Sequence, residues 1–250
     1  MKIKLYKNSV EMGKAAAKAA AEKLSEVIEK KGYARILLST GASQFDFFAA
    51  LADEKVEWSK VEMFHLDEYV GISPDHPASF NKYLRERFVE VNHPAKYHLM
   101  NGECNPEETI KEVSALISEA PIDLGLIGIG ENGHIAFNDP PADFDDERAY
   151  KIVNLNDTCI KQQIREGWFE NEDAAFKQAI SMTCKQIMKC ECIISVVPHA
   201  VKAEAVKNTL TLDKTPLVPA TLMKSHKDVT LYLDENSASL LDEATVKAFS

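Results

Sequence analysis

The sequence predicts an α/β fold, a mainly parallel sheet in three layers with helices on both faces, and three observations predict it. Apolar runs of strand length alternate with helical stretches along the chain, as βαβ units do. Three of these runs end in polar turns, at Thr40 to Ser43, at Asp67 and at Asn132, His134 and Asp139, as parallel strands delivering loops to one sheet edge would. The chain has 250 residues, 45% of them hydrophobic, enough for one substantial core, so residues 1–250 are read as a single domain.

The elements follow in order. Ser9 to Lys31 is rich in Ala, Glu and Lys and reads as a long covering helix, with Ser9 as its N-cap and Gly32 where it stops. Arg35 to Ser39 is a short buried strand. Thr40-Gly41-Ala42-Ser43-Gln44 then forms a small-residue turn with hydroxyls before a helix over Phe45 to Ala52. Free N–H groups and the helix dipole favour an anion there, although a plain βα connection has the same composition. No Lys-Ser/Thr follows, which argues against a P-loop for nucleoside triphosphates.

Val61 to Leu66 is the next strand, with Asp67, Glu68 and Tyr69 at its carboxyl end. Successive side chains on an extended chain point to opposite faces, so at most one of Asp67 and Glu68 faces a given site. Taken alone, Asp67 reads as a surface carboxylate capping a turn. Gly71 to Pro77 is a loop, Ser79 to Val89 a helix entered from Ser79, and Asn92 to Cys104 irregular. Pro106 to Ile117 has the proline and the acids that helix starts favour.

Asp123 to Pro140 organises the rest. It begins as a buried strand and breaks into a turn holding Gly125, Gly128, Gly130 and Gly133, where the backbone turns sharply at the sheet edge. Gly128, Gly130 and Gly133 match the dinucleotide fingerprint, but that motif must open a helix. The paired prolines and acids after His134 argue for a loop instead. Tyr150 to Leu155, Gln178 to Thr183, Cys192 to Val197 and Asp228 to Leu233 are further strands. Asn156 to Phe169, carrying Lys161, Gln162, Gln163 and Arg165, reads as helical or partly so and able to cover a site. Lys202 lies in the first turns of a helix after Pro198, where a cation opposes the dipole unless it meets an anion.

Composition removes several classes. A net charge of −10 and a pI near 5.3 argue against nucleic acid and anionic membrane, which are bound through basic patches. No run reaches the roughly 18 apolar residues of a membrane span, and the first residues lack a signal core. A cytoplasmic protein is expected. The five cysteines are an odd number, and Cys190-x-Cys192 lacks redox or zinc spacing, so reduced structural thiols and no metal are expected.

A hydroxyl turn and a lysine can hold a phosphate, His134 can exchange protons near neutral pH, and a carboxylate can take a carbon-bound proton. That combination suits sugar-phosphate isomerisation. Phe-His-Leu-Asp67-Glu68-Tyr69-Val-Gly71 with His-Pro-Ala-Ser79-Phe, and Gly128-Ile-Gly130-Glu-Asn132-Gly133-His134-Ile-Ala-Phe-Asn138-Asp139-Pro140, resemble the signatures of the glucosamine-6-phosphate deaminase (isomerase) family. Leu38 to Ser43 resembles its phosphate loop, and Lys202-Ala and Pro219-Ala-Thr-Leu fall in the family's order.

The resemblance implies a modified Rossmann fold and a small-molecule amino-sugar 6-phosphate, converted with water to a ketose 6-phosphate and ammonia without a cofactor. It implies that Asp67, with Glu68 beside it in the motif, moves a proton from C2 to C1. It implies that His134 opens the ring, that Asp139 orients it, and that Thr40, Gly41, Ala42, Ser43 and Lys202 hold the phosphate. Asp67, whose ordinary pKa is about 3.9, is expected to be ionised at neutral pH. Asp139 is a methylene shorter than the usual Glu and reaches less far unless the backbone compensates. Asn132 stands where many members have Asp and cannot supply charge. The family's phosphate-binding arginine falls in the region of Gln162 to Arg165; the spacing here is shifted, and which of Gln162, Gln163 and Arg165 takes its place stays open. Epimer preference and a homo-oligomeric state stay open. The enzyme rival is a 6-phosphogluconolactonase, whose Gly-His turn usually continues Thr-Ala-Ser-Leu-Phe where this chain has Ile135-Ala-Phe-Asn138-Asp139. A non-catalytic sugar-phosphate sensor is a third reading, for which 250 residues leave no room for an added DNA-binding domain.

Overall fold

The computed structural model describes residues 1–250 apart from the side chain of Thr158. The elements are β1 (Lys2–Tyr6), α1 (Ser9–Lys31), β2 (Ala34–Leu38), α2 (Phe45–Ala52), β3 (Val61–His65), β4 (Asp67–Tyr69), α3 (Phe80–Leu84), α4 (Glu90–Asn92), β5 (Lys96–His98) and α5 (Pro106–Ser118). There follow β6 (Leu124–Ile127), β7 (Tyr150–Asn154), α6 (Asp157–Arg165), β8 (Gln178–Met182), α7 (Cys184–Ile187), β9 (Cys192–Val197), α8 (Ala203–Thr211), β10 (Val229–Asp234) and α9 (Glu243–Phe249). Among the described residues, no helix is long and apolar enough to cross a membrane.

Seven strands form one sheet in the order β1-β10-β9-β6-β2-β3-β5, every neighbouring pair parallel. The predicted α/β class is the observed one. From β2 the chain winds outward to β3 and β5; it then returns to β6 on the other side of β2 and winds the opposite way to β9 and β10. The reversal makes the crevice between β2 and β6 a topological switch point. Side chains of α1, α2 and α3 pack with Ile36, Leu38, Leu124 and Leu126 on one face. Those of α5 and α8 pack with Leu37, Ile127 and Ile193 on the other.

Four expectations are corrected. The strands at Tyr150 and Gln178 do not join the parallel sheet; β4, β8 and β7 form a separate antiparallel sheet over the second face. β1 was not expected, because only Ile3 of its five residues is buried and a half-solvated edge strand lacks a continuous apolar run. β5 shares that reason, lying at the other edge with Lys96 and Tyr97 exposed. Asn8, not Ser9, caps α1: it is extended, and its side chain accepts from the Glu11 N–H at 2.9 Å. Gly32 ends that helix in the left-handed conformation, as expected.

The crossing of α1 over α2 fixes the start of α2 and hence the turn before it. A Cβ on Gly13 would stand 2.9 Å from the Asp46 carbonyl carbon and 3.0 Å from the Phe47 nitrogen. Both are backbone atoms that cannot swing aside. Gly13→Ala gains helix propensity of about 1 kcal/mol and is nevertheless expected to destabilise the fold by about 1–3 kcal/mol through overpacking. Urea denaturation checks this; a more stable variant would mean that the helices can part.

Candidate active site

The carboxyl ends of β2, β3, β6 and β9 open on one cleft. Ser39 to Ser43 line it from β2, Leu66 and Asp67 from β3, Gly128 to Gly130, His134 and Phe137 from β6, and Lys202 from beyond β9. Gln162, Gln163 and Glu166 cover it from α6 and the residue that ends it.

The turn after β2 is held from three sides. The Gly41 carbonyl accepts from the Gln44 N–H and from the Tyr83 hydroxyl, each at 3.0 Å. The Gln44 amide donates to Ser43 Oγ at 3.0 Å and to the Val196 carbonyl at 3.1 Å. Thr40, Gly41, Ala42 and Ser43 therefore face the cleft on a braced loop that runs through a short 3₁₀ turn into α2, the arrangement that receives anions. Ser39 Oγ in its floor is buried without a hydrogen-bond partner among the described residues.

β4 separates the two acids as strand alternation requires. Asp67 faces the cleft. Glu68 does not, which corrects its candidacy as a site residue. Its carboxylate accepts from the Tyr69, Phe80 and Asn81 N–H groups at 2.9, 3.2 and 2.7 Å and from Ser79 Oγ at 2.8 Å. It is an anchor on the amino end of α3, and burial still pushes it up to about 7 against those bonds. Asp67 has no such donors and is buried. Burial, then the charge of Glu68, raise its pKa well above the ordinary carboxylate range. The expectation of a plainly ionised aspartate is thereby corrected.

His134 leaves β6 through the glycine turn, which closes with the Gly130 N–H on the His134 carbonyl at 2.9 Å. Its imidazole lies against Gly130: a Cβ there would be 2.2 to 2.4 Å from three ring atoms. Behind it, Nδ1 meets Asp139 Oδ1 at 3.0 Å. That oxygen also accepts from the Asn132 amide at 3.0 Å, and the Asn132 carbonyl oxygen takes the His134 N–H at 3.1 Å. Asp139 reaches the ring without its extra methylene because the loop bends back over five residues. Burial works to raise the Asp139 pKa, but the bonds from His134 and Asn132 win and hold it below the ordinary value. An ionised Asp139 fixes the proton on Nδ1 and leaves Nε2 free. Asn132 and Asp139 themselves stand behind the cleft rather than in it.

Lys202 is 6% exposed and lines the cleft; burial lowers its pKa while Glu166 and Glu131 oppose the change. Arg165 is elsewhere. Its guanidinium pairs with Glu131 at the surface, and the cleft wall that α6 supplies consists of Gln162, Gln163 and Glu166. Glu166 was not anticipated; it is oriented by the Gln162 amide at 2.8 Å and by the Trp168 indole N–H at 3.1 Å.

This chain matches the family model described as glucosamine-6-phosphate isomerases/6-phosphogluconolactonase over residues 7–232. It belongs to that family. Among its relatives, the glucosamine-6-phosphate deaminase of Latilactobacillus sakei is 35% identical over 97% of this chain and 100% of its own length. That of Staphylococcus epidermidis is 36% identical over 86% of this chain and 90% of its own. A solved monomeric glucosamine-6-phosphate deaminase superposes with TM-score 0.87 at 29% identity, covering 96% of this chain and all of that one. The 6-phosphogluconolactonase of Thermotoga maritima, at 16% identity and TM-score 0.76 over 93% of this chain and 98% of its own, shares the fold.

The raised pKa of Asp67 has a thermodynamic sign. Its contribution to stability is full below the unfolded carboxyl pKa of about 4 and is lost as pH rises through the raised folded value. Asp67→Asn removes the buried charge at similar volume. The variant is expected to melt higher than the wild type at pH 7 to 8, with the gain shrinking toward about pH 4, by calorimetry across that range. A difference in stability that stays constant between about pH 4 and 8 would show that folding leaves the Asp67 pKa unraised.

Proposed function

We propose that the protein is a cytoplasmic glucosamine-6-phosphate deaminase whose residues 1–250 act as one domain, converting glucosamine 6-phosphate and water to fructose 6-phosphate and ammonia. The observation that carries this reading is that Asp67 and His134, 67 residues apart in sequence, line one cleft whose other wall is the Thr40–Ser43 turn and Lys202. The turn and the lysine hold the 6-phosphate, and the sugar carbons extend toward the two proton-transfer groups.

The chemistry follows from the protonation states. His134 Nε2 takes the proton of the anomeric hydroxyl and returns one to the ring oxygen, opening the pyranose; Asp139 stabilises the imidazolium formed between these transfers. Asp67 then removes the C2 proton. The raised pKa makes the carboxylate a stronger base than an exposed aspartate, and the ammonium of the bound amino sugar favours its ionised form. The resulting enolamine receives the proton at C1 and becomes a C2 imine. Water adds to that carbon, the C–N bond breaks, and ammonia leaves with the ketose. Holding base and carbon acid in one cleft supplies the effective molarity that such a transfer needs.

Purified protein incubated with glucosamine 6-phosphate is expected to release ammonia and fructose 6-phosphate in equal amounts; galactosamine 6-phosphate in parallel gives the epimer preference. Acid release from 6-phosphogluconolactone without ammonia from any amino sugar would make it a lactonase, and tight binding without turnover a sensor.

Variants separate the roles. Asp67→Asn should abolish turnover and retain binding, and near-normal activity would remove it as the base. Lys202→Ala should raise KM about tenfold or more with a smaller effect on kcat; an unchanged KM counts against the anion site. In Gly130→Ala the new methyl takes the space of the imidazole, so kcat should fall by about 10²–10⁴ with an unchanged circular dichroism spectrum. Wild-type kcat would mean the ring is free to move without loss.

A further inference from the structure

Lys202 reaches the cleft by way of an unusual piece of backbone. His199 precedes the 3₁₀ turn Ala200–Lys202 with φ 78° and ψ 146°, a conformation that a residue bearing a Cβ keeps only when its surroundings impose it. Asp234 imposes it. Val197 and Leu233 are paired in register near the ends of β9 and β10, so the two segments leave the sheet side by side. Asp234, 1% exposed, turns its carboxylate onto the segment after β9, and both oxygens accept from the His199 N–H, at 3.1 and 3.2 Å.

The carboxylate is itself locked. Oδ1 also accepts from the Ser237 N–H at 2.7 Å, and the Asp234 N–H donates to Ser237 Oγ at 3.2 Å. These bonds are buried and partly charge-assisted, so they are strong and directional. The turn that His199 starts closes when the Lys202 N–H donates to the His199 carbonyl at 3.0 Å. The position of the His199 backbone therefore sets where the Lys202 stem begins. Asp234 does not line the cleft.

We propose that Asp234 is a positioning residue for the anion site: it holds the His199 backbone and thereby aims the Lys202 ammonium into the cleft. The inference rests on the proposal that Lys202 binds the substrate phosphate.

The test measures KM and kcat for glucosamine 6-phosphate, and Kd for fructose 6-phosphate by calorimetry. It uses the wild type, Lys202→Ala, Asp234→Ala, the double variant and Asp234→Asn, whose carbonyl oxygen can still accept from His199. Asp234→Ala is expected to raise KM and Kd about tenfold while kcat changes less than about threefold, and Asp234→Asn to restore most of the loss. With Lys202 already removed, Asp234→Ala should add nothing further, because the two act as one unit. Should Asp234→Ala fail to fold, Asp234→Ser, too short to reach His199 but still able to turn onto Ser237, is expected to give the same KM rise. A wild-type KM in Asp234→Ala or Asp234→Ser, a loss confined to kcat, or independent multiplying effects in the double variant overturns the inference. A Lys202→Ala protein that binds fructose 6-phosphate like the wild type instead overturns the phosphate assignment, and the role of Asp234 with it.

Discussion

Two parallel strands, β2 and β6, lie side by side with Ile36, Leu37 and Leu38 opposite Leu124, Gly125 and Leu126, and the chain leaves them in opposite directions. That reversal is the constraint on which the rest depends. Loops that part at a sheet edge cannot fill the space between them, so a crevice exists before any side chain shapes it. The strands are held there by apolar contacts on both faces, Ile36 and Leu124 in one cluster and Leu37 and Ile127 in the other. With the register fixed, the turn after β2 and the glycine turn after β6 begin almost level with one another. One presents N–H groups and the other an imidazole, from a floor too well packed to shift.

Around this floor, buried polar groups are arranged so that each anchor serves a neighbour. Glu68 takes four hydrogen bonds and uses them to fasten α3 to β4, which leaves Asp67, on the opposite face of the same short strand, without donors of its own. Gln44 ties the turn after β2 to the carbonyl of Val196 on β9. Buried polar groups left unsatisfied are costly, so these bonds make the loops as determinate as the strands that carry them.

Much of this was legible in the sequence wherever one local rule dominated. The stop at Gly32, the entry to α3 at Ser79 and the loop after the glycines follow from capping and turn chemistry that act within a few residues. The edge strands β1 and β5 escaped because half-solvated strands carry no continuous apolar run, and their pairing is settled by partners far along the chain. The antiparallel sheet of β4, β8 and β7 escaped for the same reason: strand direction is a property of the pair. Asp67, His134, the Thr40–Ser43 turn and Lys202, each singled out in the sequence, lie on one cleft, but that Asn132 and Asp139 stand behind it was not legible. Arg165 was a candidate anion ligand only through the family resemblance, beside Gln162 and Gln163. Its pairing with Glu131 depends on α6 lying across the glycine turn, which no spacing within residues 156–169 reveals.

Asp67 and Asp139 show how far identical side chains diverge when their neighbours differ. Both are largely removed from water. Asp139 has an imidazole and an amide donating to one oxygen, and the gain from those bonds exceeds the cost of burying its charge. Asp67 has a second carboxylate as its sequence neighbour and no donor to offset burial, so its charged form is disfavoured unless a cation lies beside it. The first is therefore suited to remain an anion and orient a histidine, the second to change protonation state. Sites that separate such roles do so by pushing the pKa values of like groups apart. Here backbone geometry sets those neighbours: the six residues from His134 to Asp139 fold back on themselves, while β4 sends its two acids to opposite faces.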